Sequence, residues 1–255
     1  MKRMNFLLLM FSSCVLLLNC GDEGMRVEAA PKDAQERAAE DVYELALIQR
    51  VYPAQYFPDV VVVQKDVPIK FYITTIQQEH QNKVSVEPFF VTTEPVVPGK
   101  TRATLFTPDQ AGSFTILNLG HGFTGELFVA ETAEQAKEKR AEKGFQEFSL
   151  LYGAENIYPQ KVVVQKDVPL KLYNIGLKEE HSVSFPPFLQ TAQTVTPNDV
   201  TTFEFVPDRL GTFIIRDETF NQTAELVVEP SALANVTPVR PKGMLAVAWS
   251  QMKTK

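Results

Sequence analysis

Val61-Val62-Val63-Gln64-Lys65-Asp66-Val67-Pro68 returns without a change as Val162-Val163-Val164-Gln165-Lys166-Asp167-Val168-Pro169. An eight-residue self-match at a fixed offset marks an internal repeat, which sets the architecture before any local pattern does. The match extends at an offset of 101 to Pro58 with Pro159, Lys70 with Lys171 and Tyr72 with Tyr173. It resumes at an offset of 99, pairing Gly112 with Gly211 and Glu126-Leu127 with Glu225-Leu226. Two residues are therefore missing from the second copy between Tyr173 and His181.

Working outward, each copy reads as a run of short strands. Val42 to Ile48 is dense in β-formers, and Pro53 and Pro58 bracket a bend before the valine run. Lys65-Asp66 is a turn, and Pro68 to Thr75 follows as a strand in which Lys70 and Tyr72 alternate with Ile69, Phe71 and Ile73. Further strands are expected at 83–86, 102–106, 113–117 and 126–129, and in the second copy at 145–151, 161–164, 170–173, 181–185, 201–205, 212–215 and 224–228. Seven or so short strands per unit with no helix among them predict an antiparallel sandwich. Glu131 to Lys143 is charged and free of glycine until Gly144, which predicts a solvated helix or linker between the units.

The ends carry a different composition. Lys2 and Arg3 precede the apolar run Phe6 to Leu18, too short for a comfortable membrane span, and the run closes on Leu17-Leu18-Asn19-Cys20. This resembles a bacterial lipoprotein signal, which implies cleavage before Cys20 and its lipidation; Asn19 departs from the small residue usual at that place. Both of the 2 cysteines, Cys14 and Cys20, lie in this stretch. The remaining body then has no thiol for a disulfide or for thiolate chemistry. Without Lys2 and Arg3 the formal net charge moves from −6 to −8, a poor balance for nucleic acid or anionic lipid. We expect a signal over 1–19, a tether over 20–41, sandwiches over 42–130 and 145–229, a charged linker over 131–144 and a tail over 230–255. The tail contains the apolar run Met244 to Trp249, which is far too short to span a bilayer.

Two blocks recur in both copies: the opening Pro-x-x-Val-Val-Val-x-Lys-x-Val-Pro, and a closing one, Pro108-Asp109 with Gly112-Ser113-Phe114 and Pro207-Asp208 with Gly211-Thr212-Phe213. On these blocks each unit resembles a cupredoxin domain, the Greek-key sandwich of blue copper proteins. The expected fold class is all-β, with two consecutive Greek-key cupredoxin-like sandwiches joined by the charged linker. The resemblance implies a type 1 copper site built from an early His and a late loop carrying Cys, His and Met, in which the soft thiolate is indispensable. The second unit keeps the early context as His181-Ser182-Val183-Ser184-Phe185, whereas the first has Asn82 at that place, with His80 two positions before. In the late loop of the first unit Asn118 stands for Cys, His121 is kept and Thr124 stands for Met. The second unit has Asp217, Phe220 and Thr223 at the same three places.

Neither unit is therefore expected to build a blue copper centre, and no cofactor or enzymatic activity is expected. The 3 histidines, His80, His121 and His181, nevertheless all fall in the two ligand regions. His80 with His121, flanked by Asn118 or Glu79, or His181 with Asp217 and Glu218, could hold copper or zinc weakly. No phosphate loop, HExxH or nucleophile constellation is present. The expected role is a lipid-anchored, extracytoplasmic binding or assembly module, held to the membrane through Cys20 and contacting an envelope protein, with no nucleic-acid partner. Residual metal handling and surface adhesion are the alternatives.

Overall fold

The duplicated octapeptide folds the same way twice. The valines form strands β3 (Val60–Gln64) and β12 (Lys161–Gln165), after which the aspartates turn the chain with φ of 60° at both Asp66 and Asp167. Aspartate tolerates this left-handed region better than most side chains, which explains why the turn is kept. The turn amides are bound by the closing block: Asp66 N donates to Pro108 O and Asp167 N to Pro207 O, both at 2.8 Å. The two blocks picked out by the repeat therefore meet in space.

The computed structural model describes residues 42–76, 82–197 and 199–231. His80 and Glu79, Cys20 with the apolar run before it, and the Met244 to Trp249 run lie outside them. The first unit comprises β1 (Tyr43–Arg50), β2 (Gln55–Phe57), β3, β4 (Ile69–Thr75), β5 (Val84–Val86), β6 (Phe90–Val91), β7 (Arg102–Phe106), β8 (Gly112–Asn118) and β9 (Thr124–Ala130). The second comprises β10 (Gln146–Tyr152), β11 (Ile157–Tyr158), β12, β13 (Leu170–Gly176), β14 (His181–Phe185), β15 (Leu189–Val195), β16 (Thr201–Phe205), β17 (Gly211–Asp217) and β18 (Gln222–Glu229). In each unit a four-stranded sheet, β2-β1-β4-β7 or β11-β10-β13-β16, faces a five-stranded one, β3-β9-β8-β5-β6 or β12-β18-β17-β14-β15. These are two Greek-key β-sandwiches with cupredoxin-like strand order.

The sheets are not wholly antiparallel, as expected, but mixed. β1 runs parallel to β4 and β3 parallel to β9, and the second unit repeats both pairings. The chain leaves β1, crosses to the other sheet as β3 and returns as β4, and such a crossover brings the strand back in the same direction. The register also shows a second deletion. Glu44 pairs with Lys70 and Glu147 with Lys171, so the first strands correspond at an offset of 103. Two residues are thus missing between β10 and β11 as well.

Aromatic packing fills the cores in matched sets. Phe89 meets Phe114 edge-on at 4.6 Å and stacks near Phe106, and Phe188 meets Phe213 at 4.8 Å and stacks near Phe205. Such offset and T-shaped arrangements suit the ring quadrupoles, and they account for much of the phenylalanine content.

The alternation expected in β4 does not hold, because both faces of the four-stranded sheets are covered. Leu45, Leu47, Phe71 and Ile73 point into the sandwich, whereas Ala46, Ile48, Tyr72 and Ile76 pack with Leu151 and Ile175 of the second unit. Phe57 lies 5.1 Å from Tyr173, and Tyr72 lies 4.7 Å from Tyr158. At the offset of 101 Phe57 corresponds to Tyr158 and Tyr72 to Tyr173, so these are one contact made twice around a pseudo-two-fold axis. The tyrosine hydroxyls donate to Glu44 and Glu147 on the adjacent strands, at 2.7 and 2.5 Å. Ser149 Oγ donates to Phe57 O across the interface. At the rim Lys143 Nζ lies 2.6 Å from Asp59 Oδ1. Burial alone would raise the Asp59 pKa, but the Lys143 hydrogen bond and charge outweigh it and hold the carboxyl below its ordinary value.

The charged segment is helical, as α1 (Ala133–Ala141), with Thr132 Oγ1 accepting from Gln135 N as its cap. It is docked rather than solvated. Ala136 packs on Val62 and Ala130 of the first unit, while Gln165 of the second donates to Lys137 O at 2.7 Å. Arg140 donates to Val62 O, and its guanidinium lies 5.4 Å from the Tyr43 ring and 5.9 Å from the Phe148 ring, one from each unit.

Gly99, at φ +67°, sits where the units touch on the opposite side: a Cβ there would lie 2.8 Å from the Leu177 carbonyl oxygen. Gly99→Ala combines a left-handed backbone with that clash. It is expected to cost about 1–3 kcal/mol and lower the melting temperature by about 2–12 °C. Thermal melts followed by circular dichroism check it, and a variant melting with the parent would contradict the contact.

Candidate functional site

The strands that carry the candidate residues lie side by side. β14 pairs with β17, Val183 opposite Asp217, so the inward face of β14 presents His181 and Val183 next to the Asp217 side chain. His181 Nδ1 is 2.7 Å from Asp217 Oδ2, and both side chains are 0% exposed. This geometry places a proton on Nδ1, donated to the carboxylate. The other carboxylate oxygen, Oδ1, accepts from Thr219 N at 3.0 Å, closing the turn that follows β17.

Aromatic rings wall the pair. Phe220 lies 4.9 Å from the imidazole and Tyr152, from β10, lies 5.6 Å away. Tyr152 is itself fully buried and donates to Asn174 Oδ1, which in turn donates from its amide to Leu172 O. Burial, and then the Asp217 charge, push the Tyr152 phenol well above its ordinary pKa, so it remains a neutral donor. His181 Nε2 is buried without a hydrogen-bond partner. Glu218, by contrast, accepts from Ser184 Oγ on the other face of the sheet, so it does not join His181.

The first unit solves the same position with amides. Asn118 is fully buried at the end of β8, and its Oδ1 accepts from Gly120 N at 3.0 Å and His121 N at 2.8 Å. Its Nδ2 donates to Gln49 Oε1 at 3.0 Å. Asn82 is buried against the same loop, and a Cβ on Gly120 would fall 1.7 Å from Asn82 Oδ1, so any larger residue there would have to displace the Asn82 amide. His121 is exposed, with its ring 6.1 Å from Tyr52. His181 and Asp217 are thus brought together, whereas His121 stays on the surface loop of the other unit.

At the place the cupredoxin resemblance assigns to the copper thiolate, both units carry a side-chain oxygen bound to the amides of its own turn. Asn and Asp are the residues best suited to that local bond. The residues do not fit type 1 copper, since a hard oxygen replaces the thiolate in each unit and Phe220 replaces the second imidazole in one. The His181–Asp217 spacing points the same way. Zinc holds ligands at about 2.0–2.2 Å, so a tetrahedral ion would keep nitrogen and oxygen about 3.3 Å apart; at 2.7 Å they bond directly. Among the described residues no three His, Cys, Asp or Glu side chains gather as a metal site.

The partners missed by sequence are Gln49 and Tyr152, which occupy matching positions on the first strands. The polar Gln49, in step with Leu45 and Leu47 on the inward face of β1, was the available signal.

No known family model and no curated relative matches this chain. Solved structures that resemble it include a copper nitrite reductase from Nitrosomonas europaea, at 12% identity over 74% of this chain and 94% of that one, with a TM-score of 0.30. A multi-copper oxidase from Pseudomonas thermotolerans matches at 8% identity over 73% of this chain and 68% of that one, with a TM-score of 0.31. Likeness at this level leaves the fold to be established by strand order and leaves activity open.

Proposed function

We propose that this chain is a non-enzymatic binding or assembly module of the cell envelope, lipid-anchored outside the cytoplasm through Cys20. In it two cupredoxin-like sandwiches serve as a rigid body rather than as redox centres. The observation that carries this reading is the buried His181–Asp217 hydrogen bond standing where the resemblance would put a copper and its thiolate. A framework kept twice, with the ligand place closed in each copy by residues that bind their own loop, favours a scaffold. The partner is an envelope protein, and the acidic balance of the chain argues against nucleic acid.

A second reading, weak copper or zinc handling, draws on the exposed His121 of the first unit. To separate the two, the soluble form beginning after Cys20 is equilibrated with copper or zinc, desalted, and its metal counted. The scaffold reading predicts well under one equivalent retained and no intense blue absorption. One tight equivalent that is lost on replacing His121 or His181 would establish metal handling instead.

A further inference from the structure

Beneath its late loop the first sandwich carries a layer of buried polar side chains. Gln49 on β1 pairs with Tyr56 on β2 and with Thr75 on β4, so the three stand in one row on the inward face of the four-stranded sheet. From the facing sheet Asn118 donates to Gln49 Oε1 at 3.0 Å, and Asn82 lies against the loop that Asn118 holds. None of the five is more than 3% exposed. Four of their polar atoms have no hydrogen-bond partner among the described residues: Gln49 Nε2, Tyr56 Oη, Thr75 Oγ1 and Asn82 Nδ2. Leaving one buried donor unpaired costs more than a typical hydrogen bond contributes, so four in one layer call for a common partner. The loop leaves room for two of these side chains through its glycines, since a Cβ on Gly120 would collide with Asn82 and one on Gly125 with the Tyr56 ring.

The second unit fills the corresponding places with rings. By strand register Tyr152 stands for Gln49, Ile157 for Tyr56 and Gly176 for Thr75. The His181 ring takes the space beside Gly176, where a Cβ would lie 3.1 Å from its Cδ2, and the Tyr152 hydroxyl is bound to Asn174. Among these residues one unpartnered atom remains, His181 Nε2, and a buried water needs about two to four partners.

We infer that the first unit binds internal water in this layer, held between the sheets by Gln49, Thr75, Tyr56 and Asn82. At about three hydrogen bonds to each molecule, four unpartnered atoms suit about one or two waters. The two amide nitrogens only donate, whereas the two hydroxyls donate or accept, so the ligand must be able to do both. No positively charged side chain belongs to the layer, so a buried anion would lack a counter-charge. A small neutral molecule that both accepts and donates fits the set, and water is that molecule. It ties β1, β2 and β4 to Asn82 of the facing side, joining with hydrogen bonds what packed rings join in the second unit.

The test uses the full chain, ¹⁵N-labelled, in detergent, and reads magnetisation transfer from water to side-chain amide protons in the rotating frame, where dipolar contact and chemical exchange differ in sign. The Gln49 and Asn82 amides are expected to show dipolar contact with long-lived water. The Asn174 amide, already donating to Leu172 O and Thr201 O in the second unit, is the control and is expected to show none. Thr75→Val keeps the shape of the side chain and removes one partner of the water. It is expected to lower the water contact of Gln49 at least about twofold and to leave the melting temperature equal to the parent's or lower. A dry layer gives the opposite sign: replacing an unpartnered buried hydroxyl by a methyl raises the melting temperature by about 2–12 °C. A parent without water contact at Gln49 and Asn82 overturns the proposal, a result that needs no variant to fold. So does a Thr75→Val protein that melts above the parent or keeps the parent's water contact in full.

Discussion

Asp217→Ala is expected to lower the melting temperature by about 6–20 °C. Asp217 is fully buried and accepts from His181 Nδ1 and from Thr219 N, so alanine leaves the imidazole without either hydrogen-bond partner and frees the turn. Removing one member of a buried charged or hydrogen-bonded pair costs about 3–5 kcal/mol, and in a protein of this size each kcal/mol is worth about 2–4 °C. Asp217→Asn should be far milder, about 1–2 kcal/mol, since its carbonyl oxygen can still accept from His181. The first unit already uses that solution, with Asn118 at the matching place. The check is a pair of thermal melts on the two variants. Equal losses for alanine and asparagine would show that charge rather than hydrogen bonding holds the site.

The second large effect concerns the joint between the sandwiches. Ile48→Asp is expected to split a single cooperative unfolding transition into two. Ile48 is 0% exposed and packs with Tyr72, Leu151 and Ile175, on the face of β1 turned away from its own core. A carboxylate there costs several kcal/mol while the units are joined. Once they part, it sits on an exposed sheet face at little cost, and Leu45 and Leu47 still hold the first core. The variant therefore gives up the interface and keeps both sandwiches. Calorimetry reads this as two peaks in place of one. A single peak shifted downward would mean that the units do not fold as separable bodies even without their contact.

The joint also shows where sequence patterning stops. Phe57, Tyr72, Tyr158 and Tyr173 are aromatic residues of a kind equally at home on a half-exposed strand face, and nothing along the chain marks that face as covered. The alternation of Lys70 and Tyr72 with Ile69 and Phe71 reads as one buried face, and the second becomes buried only because the duplicated unit packs against it. The turn at Lys65-Asp66 and the closing Pro-Asp blocks were legible because identical residues recurred where the backbone demands them. Within the site, the meeting of His181 with Asp217 followed from the expected neighbourhood of their strands. Gln49 and Tyr152 did not, because the first strands have diverged and their offset of 103 breaks the repeat that revealed the rest.

The proton between His181 and Asp217 separates a closed, hydrogen-bonded site from a metal site. With ¹⁵N-labelled protein, the imidazole Nδ1–H of His181 is expected as a slowly exchanging, downfield proton resonance, absent in Asp217→Ala and unchanged when one equivalent of zinc or copper(I) is added. Loss of that proton on metal addition, with Nδ1 taking the shift of a metal-bound nitrogen, would contradict it.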